Sequence, residues 1–461
     1  MSVLAAYIVP HPPLIVPEVG GGRERTIRKT VEAYEAAASE IGALRPDTLV
    51  LISPHSIMYQ DYIHISPGKD ASGDFRRFGD RKTSLKINYD VDFVSALAEI
   101  ASDQGIPAGT LGERDKSLDH GTLVPLYFIG RQGEDIPVVR ISVSGLSLLD
   151  HYRLGKCIKA AGEKLNRRLV VVASGDLSHR LKEEGPYSYA EEGPAFDEIA
   201  TKAMAAGDFL SLMSLKEEFC EAAGECGLRS FVTMAGALDG MTVDSRLLSY
   251  EGPFGVGYAV AAFHPGGADA GRHMDILYYD KVKTELARTR AGEDVYVSLA
   301  RQSLESYVKK RKYIDLPSGL PVEIAGRRAG VFVSLKKDGR LRGCIGTISP
   351  VEGSIGREII RNAVSAGTGD PRFDPVEPEE LEELVYSVDV LGEPEAIDSM
   401  DQLDVIRFGV IVSAGRKRGL LLPNLEGVTS PEQQVEIALK KAGIPAGDDY
   451  SMERFEVVRH K

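Results

Sequence analysis

Three stretches of this chain run as strands and end on a histidine. Val170 to His179 reads Val-Val-Val-Ala-Ser-Gly-Asp-Leu-Ser-His, Val3 to Val9 leads into Pro10-His11-Pro12-Pro13, and Thr48 to Ile52 leads into Ser53-Pro54-His55-Ser56. Continuous apolar runs rich in β-branched residues mark strands buried on both faces. In an open α/β sheet, ligands bind in the crevice beyond the carboxyl ends of the strands. Three strand-end histidines, out of 9 in the chain, are therefore candidates to meet in one crevice although they lie far apart in sequence. A turn or capping role is the plainer account of any one of them; the recurrence points to a site.

With 461 residues, two or three domains are expected. The net charge of -13 lacks the basic footprint of a general nucleic-acid binder, so no nucleic-acid partner is expected. No apolar run reaches the roughly 18 residues of a membrane span. The start, Met1-Ser2-Val3-Leu4-Ala5-Ala6-Tyr7, enters a strand pattern with no basic region before it, so no signal peptide is expected. Cys157, Cys220, Cys226 and Cys344 are too few and too scattered for a disulfide framework, which suits a reducing cytoplasm, and no CxxC zinc pattern occurs.

Along the chain, Gly20-Gly21-Gly22 reads as a tight turn before a helix from about Arg23 to Ile41. Residues 59–86 read as a polar loop with short strands, carrying Arg76, Arg77, Arg81 and Lys82; the segment either folds over a site or is a solvated surface loop. Asp119-His120-Gly121 stands at the mouth of a helix. That position disfavours a charged imidazole, and His120 is either a neutral hydrogen-bonding partner for a substrate oxygen or a buried structural donor. Gly224-Glu225-Cys226-Gly227 enters another helix, with Glu225 and Cys226 open to a metal-ligand or thiolate role or to a plain helix start. Residues 265–284, opening on Pro265-Gly266-Gly267, read as a linker. Beyond it, an Asp338-Gly339 turn predicts a hairpin. Arg342, Cys344 and Arg372 are candidates for a small anion or carbonyl pocket, or else a buried cysteine beside surface arginines.

These pieces carry a resemblance. The Pro-His-Pro-Pro element with His11, Ser-Pro-His with His55, Asp119-His120-Gly121 with Val124-Pro125-Leu126, and Ser174-Gly175-Asp176-Leu177-Ser178-His179 make residues 1–264 similar to LigB-like class III extradiol dioxygenases, and among them to Memo-like proteins. Leu341-Arg342-Gly343-Cys344-Ile345-Gly346 and Asp370-Pro371-Arg372-Phe373 make residues 285–461 resemble the AMMECR-type domain. The pairing resembles proteins of the AmmeMemoRadiSam system. The resemblance implies an α/β fold, with an N-terminal mixed sheet flanked by helices followed by a smaller α+β domain. It implies Fe(2+) held by His11, His55 and a glutamate, with Glu225 the choice and Glu251 a weaker alternative. The Memo-like pattern puts Cys226 there instead, and zinc or copper then become suitable. It further implies His179 as acid/base, His120 as a hydrogen-bonding residue, a small aromatic substrate with O2, and a radical SAM protein as partner.

Overall fold

The computed structural model describes residues 2–461 apart from Asp115, Gly133, Glu134, Pro186, Asp338, Glu426 and Ala446. The chain divides into two compact units, Met1–Asp280 and Lys281–Lys461.

The first unit is built on a six-stranded mixed sheet. Its elements in chain order include β1 (Val3–Val9), α1 (Arg28–Leu44), β2 (Thr48–Ser53), β3 (Asp70–Asp74), β4 (Ser84–Asn88), α2 (Val91–Asp103), α3 (His120–Gly130), β5 (Val138–Ser142), α4 (Leu148–Leu165), β6 (Leu169–Ser174), α5 (Glu192–Ala206), α6 (Leu228–Ala237), β7 (Met241–Glu251) and β8 (Tyr258–Ala268); the helix α7 (Met274–Ala291) begins in this unit and runs past its end at Asp280. The strand order is β5-β2-β6-β1-β8-β7. β5, β2, β6 and β1 are parallel, and β8 and β7 close one edge antiparallel. All residues of β2, β5 and β6 are buried, as the unbroken apolar runs of β2 and β6 predict. The two-residue period splits each run between the sheet faces. Val171 and Ala173 pack with α4 and α6 on one face, while Val170 and Val172 pack with α1 and α3 on the other.

Two helix features constrain this unit. α3 is apolar all round and almost wholly buried, the state that such a composition demands. α4 and α6 cross backbone to backbone: a Cβ on Gly155 would stand 2.1 Å from the Thr233 carbonyl oxygen, and one on Gly236 1.9 Å from that of Tyr152.

The segment read as a linker is ordered over much of its length. β8 continues to Ala268, and Met274–Ala291 is helical. Past Phe263, β8 has β7 alone as its partner among the described residues, with Pro265 opposite Val243 and Ala268 opposite Met241. Proline and glycine are tolerated where a ladder has lost one neighbour. The β3–β4 hairpin occupies part of the polar loop at 59–86 and runs on to Asn88.

The second unit contains α8 (Val295–Lys310), β9 (Val331–Lys337), β10 (Arg340–Gly346), α9 (Ile355–Thr368), β11 (Val385–Leu391), β12 (Phe408–Ala414), β13 (Lys417–Leu421), α10 (Pro431–Ala442) and β14 (Ser451–His460). The sheet runs β10-β9-β11-β14-β12-β13, with a short strand at Glu395–Ile397 also paired to β14, and every pairing is antiparallel. The expected hairpin is present as β9 and β10, although Asp338 of its turn lies outside the described residues. The architecture is α/β: a mixed sheet flanked by helices, then a smaller α+β unit.

Candidate metal centre

β1, β2 and β6 all end at the same edge of the sheet, and the residues just beyond them converge there. His11 is 2% exposed. Its Nε2 lies 2.9 Å from His55 Nε2 and 3.7 Å from Cys226 Sγ. Among the described residues, His11, His55 and Cys226 form a group whose ligand atoms all lie within 4.8 Å of one another. Ser174 Oγ, 3.0 Å from His11 Nδ1, fixes that ring by its far nitrogen, as outer partners of metal-binding histidines do. The His11 backbone N–H donates to Asp176 Oδ1 at 2.9 Å, and the Asp176 N–H points at Cys226 Sγ at 3.3 Å. One buried aspartate thereby ties the ends of β1 and β6 to the cysteine.

Electrostatics favour neutral imidazoles. Burial, and then the neighbouring His55, His120 and His179, hold His11 well below the usual histidine range. Desolvation by the groups packed around it also lowers His55, although this ring keeps an exposed edge. Burial pulls both His120 and His179 down to about 4, with His55 adding to each shift. Neutral imidazole is the ligand form. Burial, with Asp176 and Glu225 nearby, pushes the Cys226 thiol well up; a bound cation reverses that preference, because thiolate is the ligand species. Two neutral imidazoles and a half-buried thiol facing one point fit a transition metal or zinc.

His120 opens α3, and its ring stacks on His55 at 4.1 Å between centroids and stands 5.3 Å from His11. Asp119 caps the helix, accepting from Thr122 N–H at 3.0 Å. His179 stacks on Tyr187 at 5.4 Å, and its Nε2 is buried without a hydrogen-bond partner among the described residues. The β3–β4 hairpin does reach the site: the ring of Phe78 is 5.6 Å from that of His120.

Glu225 is adjacent to Cys226 but is not in the converging group. Its carboxylate accepts from the Leu228 N–H at 2.6 Å, at the start of α6. Consecutive residues at a helix entry point in different directions, so one can serve the helix and the other the centre. Burial raises its carboxyl to about 7, against the pull of the Leu228 and Gly227 N–H groups and Arg229. Glu225→Ala is expected to cost about 1 kcal/mol of stability, as lost helix caps do, and to leave metal content unchanged; denaturant unfolding with elemental analysis checks both. Glu251 is engaged elsewhere, accepting from Thr30 N–H and Oγ1 at 2.8 and 2.7 Å.

Spacing alone assigned no role to Asp176, Ser174, Phe78 or Tyr187. Asp176 and Ser174 lie inside the strand-end motif that closes on His179, where a small polar residue after a core strand was the available signal.

A second carboxylate holds the His179 loop. Asp197 on α5 accepts from Ser178 N–H at 2.8 Å and from the Tyr250 hydroxyl at 2.7 Å. Burial pushes its carboxyl up to about 6. A raised native value means that the folded protein holds this proton more tightly than the unfolded chain. The associated stability is complete below about pH 4 and is lost as pH rises through about 6. At one pH unit per 1.36 kcal/mol, the loss is at most about 3 kcal/mol. Asp197→Asn is expected to flatten that segment of the stability–pH curve; unfolding curves with the same slope in both proteins would refute this.

In the second unit, Cys344 accepts from Ser334 Oγ at 3.2 Å, and its N–H donates to Asp370 Oδ2 at 2.9 Å. Arg372 pairs with Asp370 at 2.6 Å and reaches the Cys344 carbonyl at 3.4 Å. Arg342 forms a fork with Glu380, both contacts at 2.9 Å. Arg372 and Cys344 do come together, but both guanidiniums face carboxylates of their own.

Comparison with known proteins agrees with this organisation. The family described as the catalytic LigB subunit of aromatic ring-opening dioxygenase matches residues 5–261, and AMMECR1 matches residues 297–460. A Clostridium acetobutylicum protein is 42% identical over 470 residues, covering 100% of both chains. A Thermotoga maritima protein is 48% identical over 172 residues, covering 37% of this chain and 99% of its own. A crystal structure of a Pyrococcus horikoshii protein is 34% identical with a TM-score of 0.34, covering 36% of this chain and 88% of that one. With a strand-end histidine cluster in the first unit, and family matches spanning most of both units, the chain belongs to the LigB family and carries an AMMECR1 domain at its C-terminal end.

Proposed function

We propose that the first unit is a metal-dependent, extradiol dioxygenase-like enzyme that acts on a small aromatic substrate with O2. The observation that carries this reading is the convergence of His11 Nε2, His55 Nε2 and Cys226 Sγ within 4.8 Å. A metal bound there would supply Lewis acidity and, if it is iron or copper, redox capacity at a site where two reactants can be held together. His11 and His55 offer neutral nitrogens. His179, with a buried and unpartnered Nε2 among the described residues, takes up and returns the substrate's proton as general acid/base. His120, neutral at the start of α3, hydrogen-bonds a substrate oxygen. Phe78 and Tyr187 stand against these two rings and offer aromatic faces to a ring-shaped substrate.

Cys226 in the donor set favours a second reading. A thiolate suits zinc and copper as well as Fe(2+), and the unit would then act as a non-oxygenase metal- or ligand-binding partner of a radical SAM enzyme. All four cysteines are free thiols, which fits a reducing cytoplasm; no helix among the described residues is long and apolar enough to cross a membrane.

Anaerobic purification, elemental analysis and oxygen uptake with a panel of catechols test the proposal. About one metal per chain with catechol-dependent uptake supports the oxygenase. Metal without uptake favours the partner reading. No metal after anaerobic reconstitution overturns both.

A further inference from the structure

Arg140 lies at the centre of β5, inside a strand buried along its whole length, and is 1% exposed. A guanidinium there must have its donors met and its charge balanced. Its Nε donates to Ser66 Oγ at 2.7 Å and one terminal nitrogen to the Ser117 carbonyl at 2.8 Å; the same nitrogen stands 3.8 Å from Asp119 Oδ2. Asp119 passes the contact on, since its Oδ1 accepts from Ser53 Oγ at 2.5 Å. Ser53 Oγ in turn accepts the His55 backbone N–H at 3.3 Å. Asp119 also immediately precedes His120. The junction has no spare room: a Cβ on Gly121 would stand 2.5 Å from Ser53 Oγ, 3.0 Å from Asp119 Oδ1 and 3.5 Å from the His55 ring.

We infer that Arg140 is a positioning residue for the metal centre, acting through Asp119 and Ser53 to fix where the end of β2 presents His55 and where α3 presents His120. The inference rests on the proposal that His11, His55 and Cys226 hold a metal. Polar partners one step removed from a metal ligand set its orientation, and their loss typically lowers metal affinity by about 10–100-fold. Arg140 sits further back, yet through this chain of contacts it reaches two of the clustered histidines.

The test uses the full-length protein titrated anaerobically with cobalt(II) alone. It is followed by thiolate-to-cobalt charge transfer and by the visible ligand-field bands. The paired substitution Arg140→Met with Asp119→Asn removes the buried guanidinium and the carboxylate 3.8 Å from it together, and thermal melting close to that of the wild type is expected, as when both members of a buried pair are replaced. Cobalt affinity should fall by about 10–100-fold, and the ligand-field bands of the bound fraction should shift. A purely structural role would lower melting and leave those bands in place. Ser53→Ala removes one hydroxyl at the end of β2 and should weaken binding in the same direction. If the paired variant does not fold, this variant decides. Wild-type affinity and bands in a folded paired variant, or in Ser53→Ala if the pair fails to fold, overturn the role of Arg140 and leave the metal centre standing. No thiolate band in the wild type overturns the metal centre and this inference together.

Discussion

Replacing His11 with alanine is expected to empty the metal centre. The side chain is 2% exposed, and its Nε2 faces both other donors, 2.9 Å from His55 Nε2 and 3.7 Å from Cys226 Sγ. Its loss leaves a two-donor remnant. Affinity should drop by more than the roughly 100-fold that marks the upper range for partners outside the ligand set. His55→Ala should behave alike. His179→Ala is the informative contrast, because its Nε2 lies outside the converging group. That variant should keep its metal and lose turnover by about 10²–10⁴-fold, the range for a general acid/base. Elemental analysis after anaerobic reconstitution, alongside turnover, separates the two behaviours. Wild-type metal content in His11→Ala would remove the proposed centre.

Gly236→Ala should give a large loss of stability although it lies outside the centre. The new Cβ would stand 1.9 Å from the Tyr152 carbonyl oxygen and 2.9 Å from the Gly155 Cα. Both neighbours are helix backbone, which cannot swing aside as a side chain can. The helices must separate, and overpacking of this kind costs typically 1–3 kcal/mol, here about 3. The effect should extend to the site, because α6 begins two residues after Cys226. Moving α6 away from α4 moves the thiol relative to the two imidazoles. Denaturant unfolding should show the stability loss, and metal titration a weaker site in the protein that remains folded. An unchanged unfolding midpoint would mean that the crossing is looser than its distances indicate.

His11, His55 and His179 were legible in the sequence because each comes after an unbroken apolar run. Such a run fixes strand, burial and parallel packing together, and parallel strands place their ends on one side. The third donor of the proposed centre was harder to read. Glu225 and Cys226 are adjacent at a helix entry, and only the path of the chain decides that the carboxylate turns to Leu228 while the sulfur turns to His11. Asp176 was hidden for a related reason. Its backbone and side chain act on different partners, which spacing does not reveal. The Pro-Gly-Gly segment after His264 looked like a linker because composition reports what a residue tolerates; its actual neighbour, β7, is set by distant pairing. Arg140 reads as an exception to an apolar strand, and nothing local identifies Ser66, Ser117 and Asp119 as its partners.

The strand order also sets a schedule for synthesis. β6 lies between β1 and β2, so the strands that deliver His11 and His55 are not neighbours in the sheet. A nascent chain that has emerged only to Arg168 holds both histidines but lacks the strand that spaces them, and the thiol arrives later still. At about 5–20 residues per second, the interval from His55 to Cys226 is on the order of ten seconds or more. Throughout that time the imidazoles are free to take adventitious metal without the geometry to retain it. If the proposed centre holds a metal, its loading is tied to completion of the sheet, and metal content would double as a report that the first unit has closed.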